Sequence, residues 1–308
     1  VGDEIVHRRF QVLNNNIRLE ILSGMDSHMQ GKVCLVTGSN SGIGKVTARE
    51  LARLGATVVM LCRDRTKGEA ARAEIRAASG NEQVDLVLAD LSSLANVRQA
   101  ATEIAAKYPR LHVLIHNAGG VNSVRRVTPD GLEATFVANY LAPFLLTEQL
   151  LEIVKVSAPA RIINVSSMAH QSGKIDFDDL QCARRYSTWK AYSQAKLALI
   201  LYTYEMARRL EGSGVTVNAL HPGVIASNFD KGMGGFYRFG WKMMTPFLSN
   251  VERGAQTTLY LATSPEVEGV SGKYFARRKE SRSSRISYDE EVRQRLWRVS
   301  EELLYSRV

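Results

Sequence analysis

The feature that most constrains this chain is a glycine-rich element, Thr37-Gly38-Ser39-Asn40-Ser41-Gly42-Ile43-Gly44, set between an apolar run and a helical pattern. The residues leading into it, Val33–Thr37, are short and rich in valine, as a buried strand requires. Those that follow, Ile43–Leu54, repeat Ala48, Leu51 and Ala52 at helical spacing and close on Gly55. A strand that enters a helix through glycines gathers free backbone N–H groups and the positive end of a helix dipole at one point, which favours a phosphate. Gly38 permits the sharp turn, while Gly42 and Gly44 let backbone approach the phosphate and the sheet. The expected ligand is a dinucleotide, with Gly38, Ser39, Asn40, Ser41, Gly42, Ile43 and Gly44 around its pyrophosphate. The alternative is a simple tight turn.

The alternation continues along the chain. Val58–Cys62, Val84–Ala89, Val113–His116, Ala160–Val165, Val215–Leu220 and Lys273–Phe275 read as strands. Glu69–Ser79, Leu94–Lys107, Gly131–Ile153, Trp189–Leu210 and Val251–Thr263 read as helices. Such alternation predicts an α/β chain with a doubly wound parallel sheet and helices on both faces. No repeat or linker divides the core, so one domain is expected over residues 31–275, including a variable segment at 228–249. Residues 1–30 read as a peripheral extension, where Asn14-Asn15-Asn16 interrupts any periodicity and Met25 and Met29 are candidate start points. Residues 276–308 read as a basic segment followed by a helix.

Composition narrows the function classes. The 308 residues are 45% hydrophobic and 23% charged, enough for a full core. No run approaches the roughly 20 apolar residues that cross a bilayer, and no signal-peptide pattern opens the chain. Cys34, Cys62 and Cys182 are far apart and lack metal-ligand spacing, so reduced cysteines in a cytoplasmic protein are expected, and no metal site. The formal net charge is +9, yet the basic residues are interleaved with acids, which speaks against a nucleic-acid partner. The densest group, Arg277-Arg278-Lys279 with Arg282 and Arg285, lies in a serine-rich stretch and reads as a solvated, flexible segment.

Further on, Tyr192-Ser193-Gln194-Ala195-Lys196 puts a tyrosine and a lysine on one helix face. A free tyrosine ionises near pH ~10, and a nearby ammonium favours the phenolate and lowers that value. The pair is a candidate acid/base, its alternative a solvated surface pair. The choice of dinucleotide turns on Cys62-Arg63-Asp64, at the end of the second strand. An acidic residue there would hold both ribose hydroxyls of NAD. Cys62 takes that place, Arg63 follows it, and a guanidinium suits the additional phosphate of NADP. NADP(H) is preferred on this reading; Asp64, one residue further, keeps NAD(H) as the alternative.

Taken in order, Thr37–Gly44, Asp90-Leu91, Asn117-Ala118-Gly119, Asn139, Ser166-Ser167, Tyr192-x-x-x-Lys196 and Pro222-Gly223 resemble the short-chain dehydrogenases/reductases over nearly the whole chain after residue 30. Cys62-Arg63-Asp64, the stretch from Asn164 to His170, that from Gly173 to Gln181, and His221-Pro222-Gly223 are similar to the retinol dehydrogenase-like branch, as are Leu296-Trp297 and Ser300–Leu303. The resemblance implies a single-domain Rossmann fold and a catalytic tetrad. In it Tyr192 is general acid or base, and Lys196 holds the phenolate and the nicotinamide ribose. Ser167 donates to the carbonyl oxygen, and Asn139 interrupts its helix and fixes a water in a proton relay. Asp90 and Leu91 would meet the adenine, Asn117, Ala118 and Gly119 would lie beside the cofactor, and Pro222, Gly223, Val224 and Ser227 would line the nicotinamide. Ser166 is the bystander of its pair, because side chains alternate along a strand.

Two departures from the family stand out. His116 replaces an asparagine and reads as a hydrogen-bonded strand-end residue, and Tyr140-Leu141-Ala142-Pro143 follows Asn139 where the branch often has histidine and glycine. The segment Asn228–Ser249 mixes glycines with Phe229, Met233, Phe236, Tyr237, Phe239, Trp241, Met243, Met244 and Phe247. It reads as a lid over an apolar pocket, with Val121–Val127 as the opposite wall and Gln171–Lys190 as part of the rim. A hydrophobic, retinoid-like or lipid-like alcohol, aldehyde or ketone is the expected substrate, and a homo-dimer or homo-tetramer is the assembly common in the family. The rival readings are a non-catalytic dinucleotide-bound scaffold or redox sensor, and a sugar-nucleotide epimerase or dehydratase.

Overall fold

The computed structural model describes residues 29–223 and 251–305. Their eight-stranded sheet comprises β1 Val33–Thr37, β2 Thr57–Cys62, β3 Val84–Leu88, β4 Val113–His116, β5 Ala160–Val165, β6 Val215–His221, β7 Tyr274–Ala276 and β8 Lys279–Ser281. The spatial order is β3-β2-β1-β4-β5-β6-β7-β8. Neighbours from β3 to β7 pair in parallel, and β8 returns antiparallel on β7. The main helices are α1 Gly42–Arg53, α2 Arg65–Ser79, α3 Leu94–Lys107, α4 Ala142–Lys155, α5 Thr188–Arg209, α6 Val251–Thr263 and α7 Glu290–Tyr305.

The central strands are almost continuously apolar because both of their faces are covered. Alternation along β1 divides the core: Leu35 joins one cluster, Cys34 and Val36 the other. On the first face Leu35 shares a core with Ile104 of α3, Leu146 of α4, Leu201 of α5 and Leu304 of α7. On the second, Cys34 and Val36 share one with Leu51 of α1, Ile75 of α2 and Leu261 of α6. Met29, just ahead of β1, is also buried in this second core. This is the doubly wound Rossmann arrangement. Strand order reverses between β1 and β4, so the connections there leave toward opposite faces and open a crevice at the carboxyl ends of the strands.

Three stretches differ from the sequence expectation, each for a local reason. Helix α2 starts at Arg65, not Glu69, because the Asp64 carboxylate caps it, accepting the Lys67 N–H at 3.0 Å. The helix expected from Gly131 starts at Ala134, where Glu133 accepts the N–H groups of Thr135 and Phe136 at 2.8 Å each. It then widens into a π-turn, Val137–Leu141, before α4. Pro143 has no N–H to give the Asn139 carbonyl four residues back, so a regular helical ladder cannot run through this point.

The third difference is the basic segment, which is built into the fold. Its arginines face outward, while Ser283, Ser284 and Ser287 are buried. Ser283 is hydrogen-bonded to both Tyr204 of α5 and Ser287 at 2.7 Å. Arginines interspersed with serines put charge toward solvent and the Ser283 and Ser287 hydroxyls toward buried polar partners, which composition alone does not distinguish from a flexible tract.

An aromatic group fastens α7 to the helices that carry the crevice. The Phe144 ring lies 4.6 Å from that of Trp297 and 5.1 Å from that of Tyr202, centroid to centroid. The Tyr202 and Trp297 rings stack at 5.8 Å, and the Tyr140 and Ser300 hydroxyls are bonded at 2.7 Å. Phe144→Ala should therefore cost about 3–5 kcal/mol of unfolding free energy in urea denaturation, the range for emptying a buried aromatic site. A loss below about 1 kcal/mol would mean that α7 does not rely on this packing.

Candidate functional site

Where the crevice opens, β1 is joined to the segment after β4. The Thr37 hydroxyl accepts the N–H groups of Asn117 and Ala118 at 3.0 and 2.9 Å and donates to the Ile115 carbonyl at 3.3 Å. The Asn117 amide returns to the Thr37 carbonyl at 2.9 Å. Gly44 is pressed against this joint: a Cβ there would lie 2.4 Å from Asn117 Nδ2 and 2.5 Å from the Gly38 carbonyl oxygen. Any side chain at this position would force the turn open. Ser39 is buried, with its hydroxyl donating to the Val36 carbonyl at 2.9 Å.

Ser41 is the N-cap of α1 but makes no side-chain cap bond, and the first turn carries no acid. The leading N–H groups of α1 are thus left for an anion, at the positive end of the helix. A narrow glycine cradle leading to an uncapped helix end fits a dinucleotide pyrophosphate. At the end of β2, Cys62 is buried, its sulfur 3.6 Å from the Ser39 hydroxyl, and Arg63 is exposed. Asp64 is committed to α2, where its carboxylate also pairs with Lys67 at 3.1 Å. These N–H and lysine contacts hold the Asp64 carboxyl below its usual range. At the end of β3 the Asp90 carboxylate accepts the Ser92 N–H and hydroxyl at 2.9 and 2.8 Å, and Leu91 packs against the core.

The second half of the site is assembled from the π-turn, the end of β5 and α5. The Asn139 amide donates to the carbonyls of Thr135 and Gly120 at 2.8 Å each, and its oxygen accepts the Gly120 N–H at 3.2 Å. Gly119 is wedged between Asn139 and Lys196: a Cβ on it would lie 2.6 Å from Asn139 Oδ1 and 3.2 Å from Lys196 Nζ. Lys196 Nζ in turn donates to the Val165 carbonyl at 2.9 Å and lies 5.7 Å from the centre of the Tyr192 ring. The Ser167 hydroxyl accepts the Ala169 N–H at 3.2 Å and hydrogen-bonds the Tyr192 oxygen. Because its oxygen already accepts from Ala169, its own proton is free to be donated toward Tyr192. Asn139 and Lys196 thus flank Gly119, and Lys196 and Ser167 both adjoin Tyr192.

The electrostatics depart from the sequence expectation. Burial pushes the Tyr192 phenol up to about 12, with the Ser167 hydrogen bond acting weakly against it. Lys196 does not depress it here, because the ammonium is turned to the Val165 carbonyl and is itself destabilised, its value lowered by burial to about 8. Ser166 has a packing role: its buried hydroxyl donates to the Lys196 carbonyl at 3.0 Å and ties β5 to α5. His116 is bonded to Thr147 at 2.7 Å, and burial lowers it to about 3. Pro222 and Gly223 follow β6, with the Gly223 N–H donating to His221 Nδ1 at 3.2 Å. Val224, Ser227 and the segment 228–249 lie outside the described residues. Sequence reasoning gives no specific role to Thr37 or His170, and places Gly173 only in the stretch read as part of the rim. The backbone of Gly173 meets α5 so closely that a Cβ would lie 2.5 Å from the Ser193 carbonyl. Among the described residues no cluster of His, Cys, Asp or Glu is placed to hold a metal ion, and no helix is long and apolar enough to cross a membrane.

Comparison with known proteins agrees with this geometry. The family model for short chain dehydrogenases matches residues 32–234. The chain belongs to the short-chain dehydrogenase family. Retinol dehydrogenase 12 of Mus musculus is 46% identical over 274 residues, covering 89% of this chain and 86% of that protein. Retinol dehydrogenase 13 of Homo sapiens is 46% identical over 281 residues, covering 89% and 85%. Among solved structures, one from Mycobacterium paratuberculosis superposes with a TM-score of 0.73 at 36% identity, over 90% of this chain and 94% of that one. The NADP active-site complex of Pseudomonas aeruginosa RhlG superposes with a TM-score of 0.65 at 26% identity, over 81% and 95%. This short-chain dehydrogenase is of the retinol dehydrogenase-like kind. It is an oxidoreductase acting on a small alcohol or its oxidised counterpart by hydride transfer, with a cofactor of the NAD(P)(H) type.

The state of Lys196 has a measurable consequence. Its value is about 8 in the folded chain and 10.5 when unperturbed. Between these values the unfolded chain keeps a proton that the folded chain has released. The stability contributed by this group is therefore lowest below pH ~8 and rises with pH through the window. The unfolding free energy of the wild type relative to Lys196→Met should climb between about pH 8 and pH 10 in urea titrations. A flat or falling difference would contradict the burial of an ionisable lysine here.

Proposed function

We propose that this chain interconverts a hydrophobic alcohol and its aldehyde or ketone, with NADP(H) preferred over NAD(H) and Tyr192 as the proton-transferring residue. The observation that carries the proposal is the chain of contacts in which Asn139 and Lys196 flank Gly119, Lys196 lies over the Tyr192 ring, and Ser167 is hydrogen-bonded to Tyr192. A bound nicotinamide supplies the hydride in reduction and takes it up in oxidation. In reduction Tyr192, kept neutral by burial, gives its proton to the substrate oxygen as negative charge gathers there. Ser167 donates a hydrogen bond to the same oxygen without losing its proton, and the Ala169 N–H bonded to its own oxygen helps fix its direction. Lys196 in its charged form favours the phenolate left on Tyr192. In oxidation the phenolate must form first, so the demand on Lys196 is greater. Asn139 holds the backbone of Gly120, and with it the wall against which Lys196 rests.

Preference for NADP(H) rests on two neighbours. Arg63 is exposed at the end of β2, and among the described residues no hydrogen bond or ion pair occupies its guanidinium. The carboxylate that would compete for the ribose, Asp64, is taken by the start of α2. For the substrate, the large apolar side chains exposed near the site support a lipophilic partner. Met168 follows Ser167, Trp189 lies one helical turn before Tyr192, and Val124 and Val127 lie on the loop after Gly119. The relatives named retinol dehydrogenases point to a retinoid-like molecule in the same way.

Tyr192→Phe should reduce turnover of hydrophobic aldehydes by roughly 10²–10⁴-fold, the span typical of a lost acid/base group. NADPH binding, followed by nicotinamide fluorescence, should persist. Full turnover in that variant would defeat the assignment, and tight NADPH binding without wild-type turnover of any carbonyl would favour a non-catalytic scaffold. Arg63→Leu should raise the KM for NADPH and leave that for NADH near the wild-type value. If NADH is the more efficient cofactor of the wild type, the role given to Arg63 fails.

A further inference from the structure

His170 lies on the single 3₁₀ turn, Met168–Ser172, that follows Ser167. Its ring is fully buried, packed 5.0 Å from that of Tyr274, and both of its nitrogens are engaged. Nδ1 lies 2.6 Å from the Ser167 carbonyl oxygen, and Nε2 lies 3.2 Å from the Ser284 backbone nitrogen. A carbonyl can only accept and a backbone N–H can only donate. The ring is therefore neutral, with its proton on Nδ1 and its lone pair on Nε2. A second proton on Nε2 would face the Ser284 N–H in a dry site. With both nitrogens spent, the ring has no proton to exchange with a substrate.

What the ring does is join two parts of the site. The Ser167 carbonyl receives the His170 side chain as well as the His170 N–H at 3.2 Å. On its other side the ring meets the buried segment after β8, which is bonded through Ser283 to Tyr204, a residue of the helix that carries Tyr192 and Lys196. We propose that His170 is a positioning residue, which orients Ser167 toward Tyr192 through the Nδ1–H bond to the Ser167 carbonyl, while the Ser284 N–H on Nε2 anchors the ring to the C-terminal segment and contributes mainly to stability. Loss of the ring leaves the Ser167 carbonyl with only the His170 N–H of the short turn, beyond the anchorage at Ser166. A displacement of about 1 Å in a hydrogen-bond donor is enough to cost about 10²-fold in rate.

The inference rests on the role proposed for Ser167, and two substitutions separate the two contacts. In His170→Gln the amide oxygen reaches the Nε2 position and keeps the Ser284 N–H, while the donor to Ser167 is lost. In His170→Asn the amide nitrogen replaces Nδ1 and keeps the donor, while the Ser284 contact is lost. The expected result is a fall of about tenfold or more in kcat for His170→Gln, with NADPH affinity and melting temperature close to wild type. His170→Asn should recover most of that kcat while melting lower. Wild-type kcat in His170→Gln, or losses in both variants that simply follow melting temperature, would overturn the proposal. Nitrogen NMR of labelled histidine in the wild type gives a readout independent of turnover. A proton on Nδ1 supports the clamp, and a proton on Nε2 overturns it. Should the wild type itself turn over no carbonyl, it is the proposed reaction that fails, and the tautomer still reports on the clamp.

Discussion

One hydroxyl holds the crevice together. Thr37 ends β1 at the point where strand order reverses, and its oxygen takes the N–H groups of Asn117 and Ala118 while its proton goes to Ile115. A parallel sheet would otherwise splay at this point, since β1 and β4 send their chains to opposite faces. The joint fixes the path of the next residues, and the rest of the site follows from that path. Gly119 passes between Asn139 and Lys196, whose side-chain ends a Cβ there would push aside. Lys196 reaches the Val165 carbonyl at the end of β5, and two residues later Ser167 meets Tyr192. The glycine turn and the group formed by Asn139, Ser167, Tyr192 and Lys196 are thus one connected set of backbone and side-chain contacts.

The second constraint is water exclusion. Tyr192 and Lys196 are both buried, and burial opposes charge on each. A tyrosine held as a phenol suits proton donation to a carbonyl oxygen, while proton abstraction from an alcohol asks for a charged lysine. With Tyr192 as the proposed proton-transferring residue, the balance between reduction and oxidation would depend on how strongly the bound ligands favour the Lys196 ammonium. That coupling follows from low polarity around two adjacent ionisable groups. It is also why the helical spacing of Tyr192 and Lys196 indicates proximity but not protonation state.

Much of the fold was legible in the chain. The glycine turn, the apolar strands and the long helices occur close to their expected places, because periodicity reports burial directly. Where the reading slipped, a side chain had settled a matter that periodicity does not register. Asp64 drew α2 forward by capping it, and Pro143 forced the π-turn that holds Asn139. The serines between Ser281 and Ser287 turned an apparently loose basic tract into a buried network. The tetrad could be located only by its order along the chain and its resemblance to a family, since Asn139, Ser167 and Tyr192 come from three distant segments. His170 carried no separate signal: its importance appears only when Ser167 and Ser284 are found on opposite edges of its ring.

Deuterium transfer tests the central claim most directly. NADPH labelled at the reactive nicotinamide carbon, incubated with a long-chain or retinoid aldehyde, should place one deuterium on the carbinol carbon for each cofactor oxidised, always on the same face. Tight binding of the labelled cofactor, with no label in any alcohol product, would contradict hydride transfer at this site.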